Sequence, residues 1–262
     1  MCRPAWQMET GTSAVSKNAL LIAAAGLVLC GCQSQLTCPR TIYLDGAGWY
    51  SGHFSVRKGL REAGYTGDIE RFGWSSMLGP LPDHLLAGPD HPRVDNLADR
   101  ITRLRRACPK GQIVLVGLSA GTGIVIHALE RLPVGISVDY VVLLSPSISS
   151  RHDLTRALQH IRYRLYATSS PYDMILAAAP SAGLEGGRPA GQVGFQTPRI
   201  FTSGKRELYE KVVNLAWRPE YAAWGWDGGH TSATNSDFIR VVIAPRIMDE
   251  QPHPLDASIV ER

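Results

Sequence analysis

The sequence predicts an α/β protein, a doubly wound, mostly parallel sheet with helices on both faces. Three observations predict it. Short apolar runs alternate with amphipathic stretches from Thr41 onward. Two of those runs, Gln112–Leu118 (QIVLVGL) and Asp139–Leu144 (DYVVLL), are almost continuously apolar, as strands covered on both faces must be. No Pro/Gly/Ser-rich linker divides the chain, and 262 residues with 44% hydrophobic and 19% charged side chains suffice for one large core.

Each element follows from local pattern. Thr41–Asp45 (TIYLD) reads as the first strand, ended by the glycine-rich DGAGWYSG, and Ser55–Ala63 as a helix closed by Gly64. Asp68–Trp74 (DIERFGW) reads as the second strand. A Pro/Gly/His-rich stretch, Ser75–Arg93, reads as a long loop. Leu97, Ile101 and Leu104 then recur at helical spacing, predicting a helix over Leu97–Ala107 whose Arg103, Arg105 and Arg106 face solvent. After the strand Gln112–Leu118 comes a helix over Gly123–Leu132. The strand Asp139–Leu144, a helix over Leu154–His160 and the strand Tyr163–Thr168 follow. The pattern blurs across Gly183–Gly204 and recovers as a helix over Asp237–Ile247.

Where the buried strand Gln112–Leu118 meets the next helix stands Gly117-Leu118-Ser119-Ala120-Gly121, a G-x-S-x-G string. The string alone is weak; its place between strand and helix fits a nucleophile elbow. Glycines suit such a turn because a Cβ on either side of the serine has no room. The turn presents Ser119 at the carboxyl edge of the sheet, near a helix N-terminus that favours negative charge.

On these residues the chain resembles the α/β-hydrolase superfamily from about Thr41 to Ile247. The resemblance implies an acid and then a histidine after the serine. Asp173 lies just past the strand Tyr163–Thr168, and His230 stands in a late loop before the last helix. Asp227 is the alternative acid, close to His230 in sequence; His253 is the other late histidine, in a Pro-rich tail. His53 and His127 read as structural. The implied oxyanion donors are the backbone N–H groups of Ala120 and, from Asp45-Gly46-Ala47-Gly48, Ala47 with Gly48 as a helper. Asp45 stands where many relatives have histidine. The implied activity is hydrolysis of carboxylic esters or thioesters, with a small-molecule ester or acyl substrate and no cofactor. An inactive envelope protein using the fold for binding, and acyl transfer to an acceptor other than water, stay open. Trp49, Tyr50, Trp74, Trp217, Tyr221, Trp224 and Trp226 lie in loops that could ring the site, although core packing is the plainer reading of each. No long insertion separates Leu144 from Tyr163, which argues for a small esterase over an interfacial lipase, with Ser75–Arg93 a partial cover.

The first 31 residues read as a leader. Lys17 precedes the apolar run Ala19–Gly31, roughly 13 residues, too short for a bilayer of about 30 Å but suited to a signal-peptide core. Leu29-Cys30-Gly31-Cys32 resembles a bacterial lipobox, with Cys30 a departure at its middle position, and implies lipidation of Cys32. Gln33 after it implies the outer membrane of a Gram-negative envelope, on the periplasmic side. An ordinary secretion signal is the rival, and Met8 is a possible start. Residues 32–40 then form a tether and 41–262 a single domain. Cys38 and Cys108 each precede a strand, and a disulfide between them would close a loop of about 70 residues, worth on the order of 4 kcal/mol; two buried free thiols are the alternative. The net charge of +4 comes without a basic stripe carrying stacking aromatics, so nucleic acid is no expected partner. No H-E-x-x-H metal spacing and no nucleotide loop occur, so no metal is expected.

Overall fold

Six strands form one sheet in the order β2-β1-β3-β4-β5-β6, with every neighbouring pair parallel. They are β1 (Arg40–Leu44), β2 (Asp68–Arg71), β3 (Ile113–Leu118), β4 (Val138–Leu144), β5 (Ile161–Ser169) and β6 (Val212–Ala216). The computed structural model describes residues 37–48, 51–76, 79, 82–83, 87–178, 187–199, 202–248 and 260. The leader, Cys32, Trp49, Tyr50 and His253 lie outside the described residues. Among the described residues no helix is long and apolar enough to cross a membrane.

Successive side chains on a strand point to opposite faces, and here both faces are covered. Ile42, Leu44, Ile113, Leu115, Val141 and Leu143 pack beneath α2 (Pro92–Ala107) and α3 (Gly121–Glu130), through Leu97, Ile101, Leu104, Ile124 and Ala128. The intervening residues Tyr43, Val114, Val116, Leu118, Val142 and Leu144 pack on the other side. Their partners are Val56 and Leu60 of α1 (Gly52–Glu62) and Phe238, Val242 and Ile247 of the C-terminal helical run. That run, Ser236–Phe238, Ile239–Ile243 and Ala244–Met248, is continuous, with a π-type middle segment. The doubly wound, mostly parallel α/β architecture is therefore as the sequence predicts.

Three expectations are corrected. The helix expected from Leu97 starts at Pro92, because proline's fixed φ suits a first helical turn and His91 Nδ1 accepts the Arg93 N–H at 3.1 Å. A sixth strand, β6, was not expected. Its VVNLA run is broken by Asn214, whose side-chain amide accepts from the Phe195 N–H and donates to the Phe195 carbonyl, both at 2.9 Å. Arg105 is not solvated but 5% exposed. Its guanidinium meets Asp139 Oδ2 at 2.6 Å and donates to the carbonyls of Ser137 and Gly111, both at 2.8 Å.

The two cysteines are brought together, because β1 and β3 are parallel neighbours and the residues before them share an edge. They stand as two thiols in hydrogen-bond contact, the alternative to the disulfide. Burial, then a hydrogen bond with Cys108, pushes the Cys38 thiol up to about 12.

The buried pair Arg105–Asp139 joins α2 to the amino end of β4, where the carboxylate also accepts from the Ile113 N–H at 2.8 Å and Arg162 at 3.0 Å. Removing its charge leaves Arg105 buried without a counter-ion. In urea denaturation Asp139→Asn should lose about 3–5 kcal/mol, while Arg103→Ala, on the exposed side of the same helix, should stay within about 0.5 kcal/mol of wild type.

Candidate active site

β3 ends at Leu118 and α3 begins at Gly121, so Ser119 and Ala120 alone turn the chain. Ser119 has φ of 51°, a left-handed conformation that costs an L-residue about 1–2 kcal/mol. Three hydrogen bonds hold it there. Its N–H donates to the Leu144 carbonyl at 2.9 Å, and its carbonyl accepts from the Thr122 N–H at 3.0 Å and hydroxyl at 2.5 Å. The flanking glycines serve close approach, as the sequence suggested. A Cβ on Gly121 would stand 2.4 Å from the Asp45 carbonyl oxygen, and one on Gly117 would stand 3.1 Å from Thr122 Cα. Both obstacles are backbone and cannot move aside.

Asp173 follows β5 and is 1% exposed. Its carboxylate is divided: Oδ1 accepts the Leu176 N–H at 2.9 Å, and Oδ2 lies 2.7 Å from His230 Nδ1. One oxygen thus caps the following helix and the other meets the imidazole. Asp227, the alternative acid, is consumed in its own turn. Its Oδ1 accepts from the Ser232 hydroxyl at 2.5 Å and the Gly229 N–H at 2.8 Å, and these bonds hold its carboxyl below the usual range.

The loop carrying His230 is fixed by packing. Trp226, fully buried, stacks on Tyr221 with centroids 5.5 Å apart and meets Phe238 at 4.7 Å. Its indole N–H donates to the Gly229 carbonyl at 3.3 Å, and Trp217 Nε1 donates to the Trp226 carbonyl at 2.9 Å. Gly228 has φ of 92°, and a Cβ there would lie 2.9 Å from Ser170 Oγ, so the histidine and acid loops touch. The late aromatics thus build the floor of the loop rather than a ring around an opening.

Sequence reasoning missed Ser145. It follows β4, has φ of 45°, and donates its N–H to Thr168 Oγ1 at 2.8 Å. Its hydroxyl donates to the His230 carbonyl at 3.0 Å. Leu144 accepts the Ser119 N–H, so two adjacent residues of one strand end hold the serine turn and the histidine loop. Its place at the end of the strand beside the elbow was the available signal.

The loop after β1 lies against the serine: a Cβ on Gly46 would come within 3.3 Å of Ser119 Cβ. Asp45, standing where histidine was the expected type, anchors this loop. It accepts from Tyr43 Oη at 3.0 Å, the Gly52 N–H at 2.9 Å and Arg71 Nε at 3.0 Å, and its carbonyl accepts from Trp74 Nε1 at 2.7 Å. Burial raises its pKa against the pull of those donors. Gly48 is corrected as an oxyanion helper: its N–H donates to Asp83 Oδ2 at 3.0 Å. Asp83 also accepts from Ser75 and Ser76. Burial pushes its carboxyl up, but these bonds prevail and bring it below the usual range. Ala120 follows Ser119 directly, and Ala47 follows Gly46 in the loop that lies against it. That loop borders a cleft of ≈ 370 Å³, lined by Asp45, Gly46, Gly48, Ser51, Arg71 and Trp74 among others.

Residues 60–182 match the family model described as the alpha/beta hydrolase fold, a span that includes Ser119 and Asp173. No curated protein matches the chain. Among solved structures, the chain is similar to a cutinase-like protein from Cryptococcus sp., at 15% identity over 79% of this chain and 92% of that one, with a TM-score of 0.40. It is also similar to LpqC, a poly(3-hydroxybutyrate) depolymerase from Bordetella parapertussis, at 15% identity over 84% of each chain, with a TM-score of 0.46. A Trichoderma reesei cutinase matches at 16% identity over 79% of this chain and 76% of that one, with a TM-score of 0.36. The six-stranded parallel sheet flanked by helices, the strand–serine–helix turn and the family match make this the α/β-hydrolase fold.

Proposed function

We propose that the protein is a serine hydrolase of carboxylic esters or thioesters, with Ser119 as nucleophile, His230 as base and Asp173 as its orienting acid. One observation carries the reading. A serine held at positive φ on the strand–helix turn shares its strand-end anchor with a histidine loop whose imidazole already meets a buried carboxylate.

The chemistry follows from the groups present. A serine hydroxyl is a weak nucleophile at neutral pH, so His230 Nε2 takes its proton as Oγ bonds to the acyl carbon. Asp173 fixes the ring with Nδ1 facing the carboxylate and stabilises the imidazolium. Negative charge gathering on the acyl oxygen is met by the N–H groups of Ala120 and Ala47. Collapse of the intermediate breaks the bond to the alcohol or thiol, which leaves with the proton from His230. Water, deprotonated by the same ring, then attacks the acyl-enzyme, releasing the acid and restoring Ser119. Tyr172, Met174 and Ile175, all more than half exposed beside Asp173, supply an apolar rim suited to an acyl or aryl group. The leader pattern also supports export and acylation at Cys32, placing the enzyme on the cell envelope.

Wild-type protein should take up a fluorophosphonate label at one serine, and Ser119→Ala should take up none. An unlabelled wild type would overturn the reading in favour of a binding protein. Asp173→Asn should lower kcat by about 10⁴-fold with the fold intact by circular dichroism, as expected when the tautomer is no longer fixed. Ser145→Ala, which frees the His230 backbone without touching substrate, should lower kcat roughly tenfold with KM little changed, the worth of about one hydrogen bond. Product analysis in the presence of added alcohols tells hydrolysis from acyl transfer. Mass spectrometry of the mature N-terminal peptide should show acylated Cys32; an unmodified peptide beginning elsewhere would refute the anchor.

A further inference from the structure

Behind the elbow, at the far end of α3, three potential metal ligands meet. His127 and Glu130 stand one turn apart on the helix, and His152 reaches them from the segment that follows β4. His127 Nδ1 lies 2.9 Å from Glu130 Oε2, and His152 Nε2 lies 2.7 Å from Glu130 Oε1. The two imidazoles meet edge to face, with centroids 5.5 Å apart. The cluster is sheltered, its side chains 11%, 16% and 23% exposed. None of the three takes part in the chemistry proposed above.

We propose that His127, Glu130 and His152 form a binding site for a divalent transition-metal ion of the zinc type. The ligand atoms all lie within 4.8 Å of one another. Zinc with nitrogen and oxygen ligands at about 2.0–2.2 Å in a tetrahedron needs them about 3.3 Å apart. The two imidazole–carboxylate separations must open by about half an ångström, and no ligand pair has to close by more than about 1.5 Å. Imidazole ligands select zinc and its first-row neighbours over magnesium or calcium, which prefer oxygen shells.

Both Glu130 carboxylate oxygens already face imidazole nitrogens, so the carboxylate sits between the two ring ligands. Arg156 donates to the Glu130 main-chain carbonyl at 3.0 Å, which leaves both carboxylate oxygens to the imidazoles. An entering ion replaces the shared protons of the two imidazole–carboxylate contacts, and a water completes the fourth position.

The segment holding His152 is itself fixed. Ser149 bridges Pro189, the Ser150 N–H donates to the Arg188 carbonyl at 2.8 Å, and the His152 N–H donates to the Ser149 carbonyl at 3.1 Å. The ion would fasten the C-terminal end of α3, the helix that follows the Ser119 turn, to the segment that begins at Ser145. Its role is that of a staple.

The test uses the full chain, stripped with EDTA and titrated with zinc chloride. Calorimetry should give one site, and zinc at a hundredfold excess over its Kd should raise the thermal midpoint by roughly 5–10 °C. His152→Ala and Glu130→Gln should each weaken binding at least tenfold, while their midpoints in EDTA stay near that of wild type. Cobalt in place of zinc should give a tetrahedral nitrogen–oxygen spectrum without thiolate charge transfer, which separates this site from Cys38 and Cys108. Wild-type protein without one-to-one binding, binding undiminished in both variants, or a thiolate band in the cobalt spectrum would each overturn the proposal. The readouts do not depend on hydrolysis, so failure of the enzymatic reading leaves this one standing.

Discussion

The close approach of the serine turn to the end of β1 is the constraint on which the rest of the architecture depends. Gly121 presses its Cα against the Asp45 carbonyl, and Gly46 presses its own against Ser119 Cβ. A Cβ at Gly121 would clash with backbone at 2.4 Å, and one at Gly46 would be tight at 3.3 Å. With both glycines in place, the turn after β3 and the loop after β1 lie against one another. The strain at Ser119, about 1–2 kcal/mol, is tolerated because its N–H is committed to β4 and its carbonyl to Thr122. A sheet paired on both sides of β3 supplies the rigidity that a lone turn lacks.

Burial of carboxylates shows a division of labour around that frame. Asp45, Asp83 and Asp139 are each met by three or more donors that pin loops or strand ends. Asp173 is bound differently. Among the described contacts its side chain accepts one backbone N–H, on Oδ1, and gives Oδ2 to the imidazole. A carboxylate saturated by guanidinium and amide donors has its charge spoken for. One with an oxygen reserved for a single ring keeps that charge for whatever the ring becomes. This contrast supports the role proposed for Asp173 independently of chain order.

How much was legible in the sequence depended on how local the controlling physics is. The five expected strands and the glycine-flanked serine could be read because continuous apolar runs and tight turns are properties of neighbours in sequence. Asp173 and His230 could be placed because chain order puts them after strand ends. β6 was missed because Asn214 interrupts its run, and that interruption makes sense only with Phe195 beside it. Arg105 looked like surface for the same reason, its partner Asp139 lying far along the chain. Gly48 was misassigned because a backbone donor is read as available until Asp83, in the loop expected only as a partial cover, is seen to occupy it. The Cys38–Cys108 meeting was legible from parallel pairing of β1 with β3.

A common rule underlies the successes. In a parallel sheet all strands point the same way, so residues just after any strand gather at one edge and residues just before gather at the other. Position relative to a strand end is therefore a spatial coordinate that a sequence carries openly. Asp45, Ser119, Ser145 and Asp173 each lie within four residues past a strand; Gly46 and Gly121 bring the first two loops together, and Ser145 and Asp173 both reach His230. Cys38 precedes β1 and Cys108 precedes β3, and they meet at the opposite edge, with Arg105 and Asp139 close by. The two edges differ in what their loops can spare. The amino edge is filled by thiols and a buried ion pair whose groups are fully engaged with one another. At the carboxyl edge lie the Ser119 turn, the His230–Asp173 contact and a cleft lined by Asp45, Gly46 and Arg71 among others. Chemistry belongs at the edge where polar groups have been positioned without being saturated.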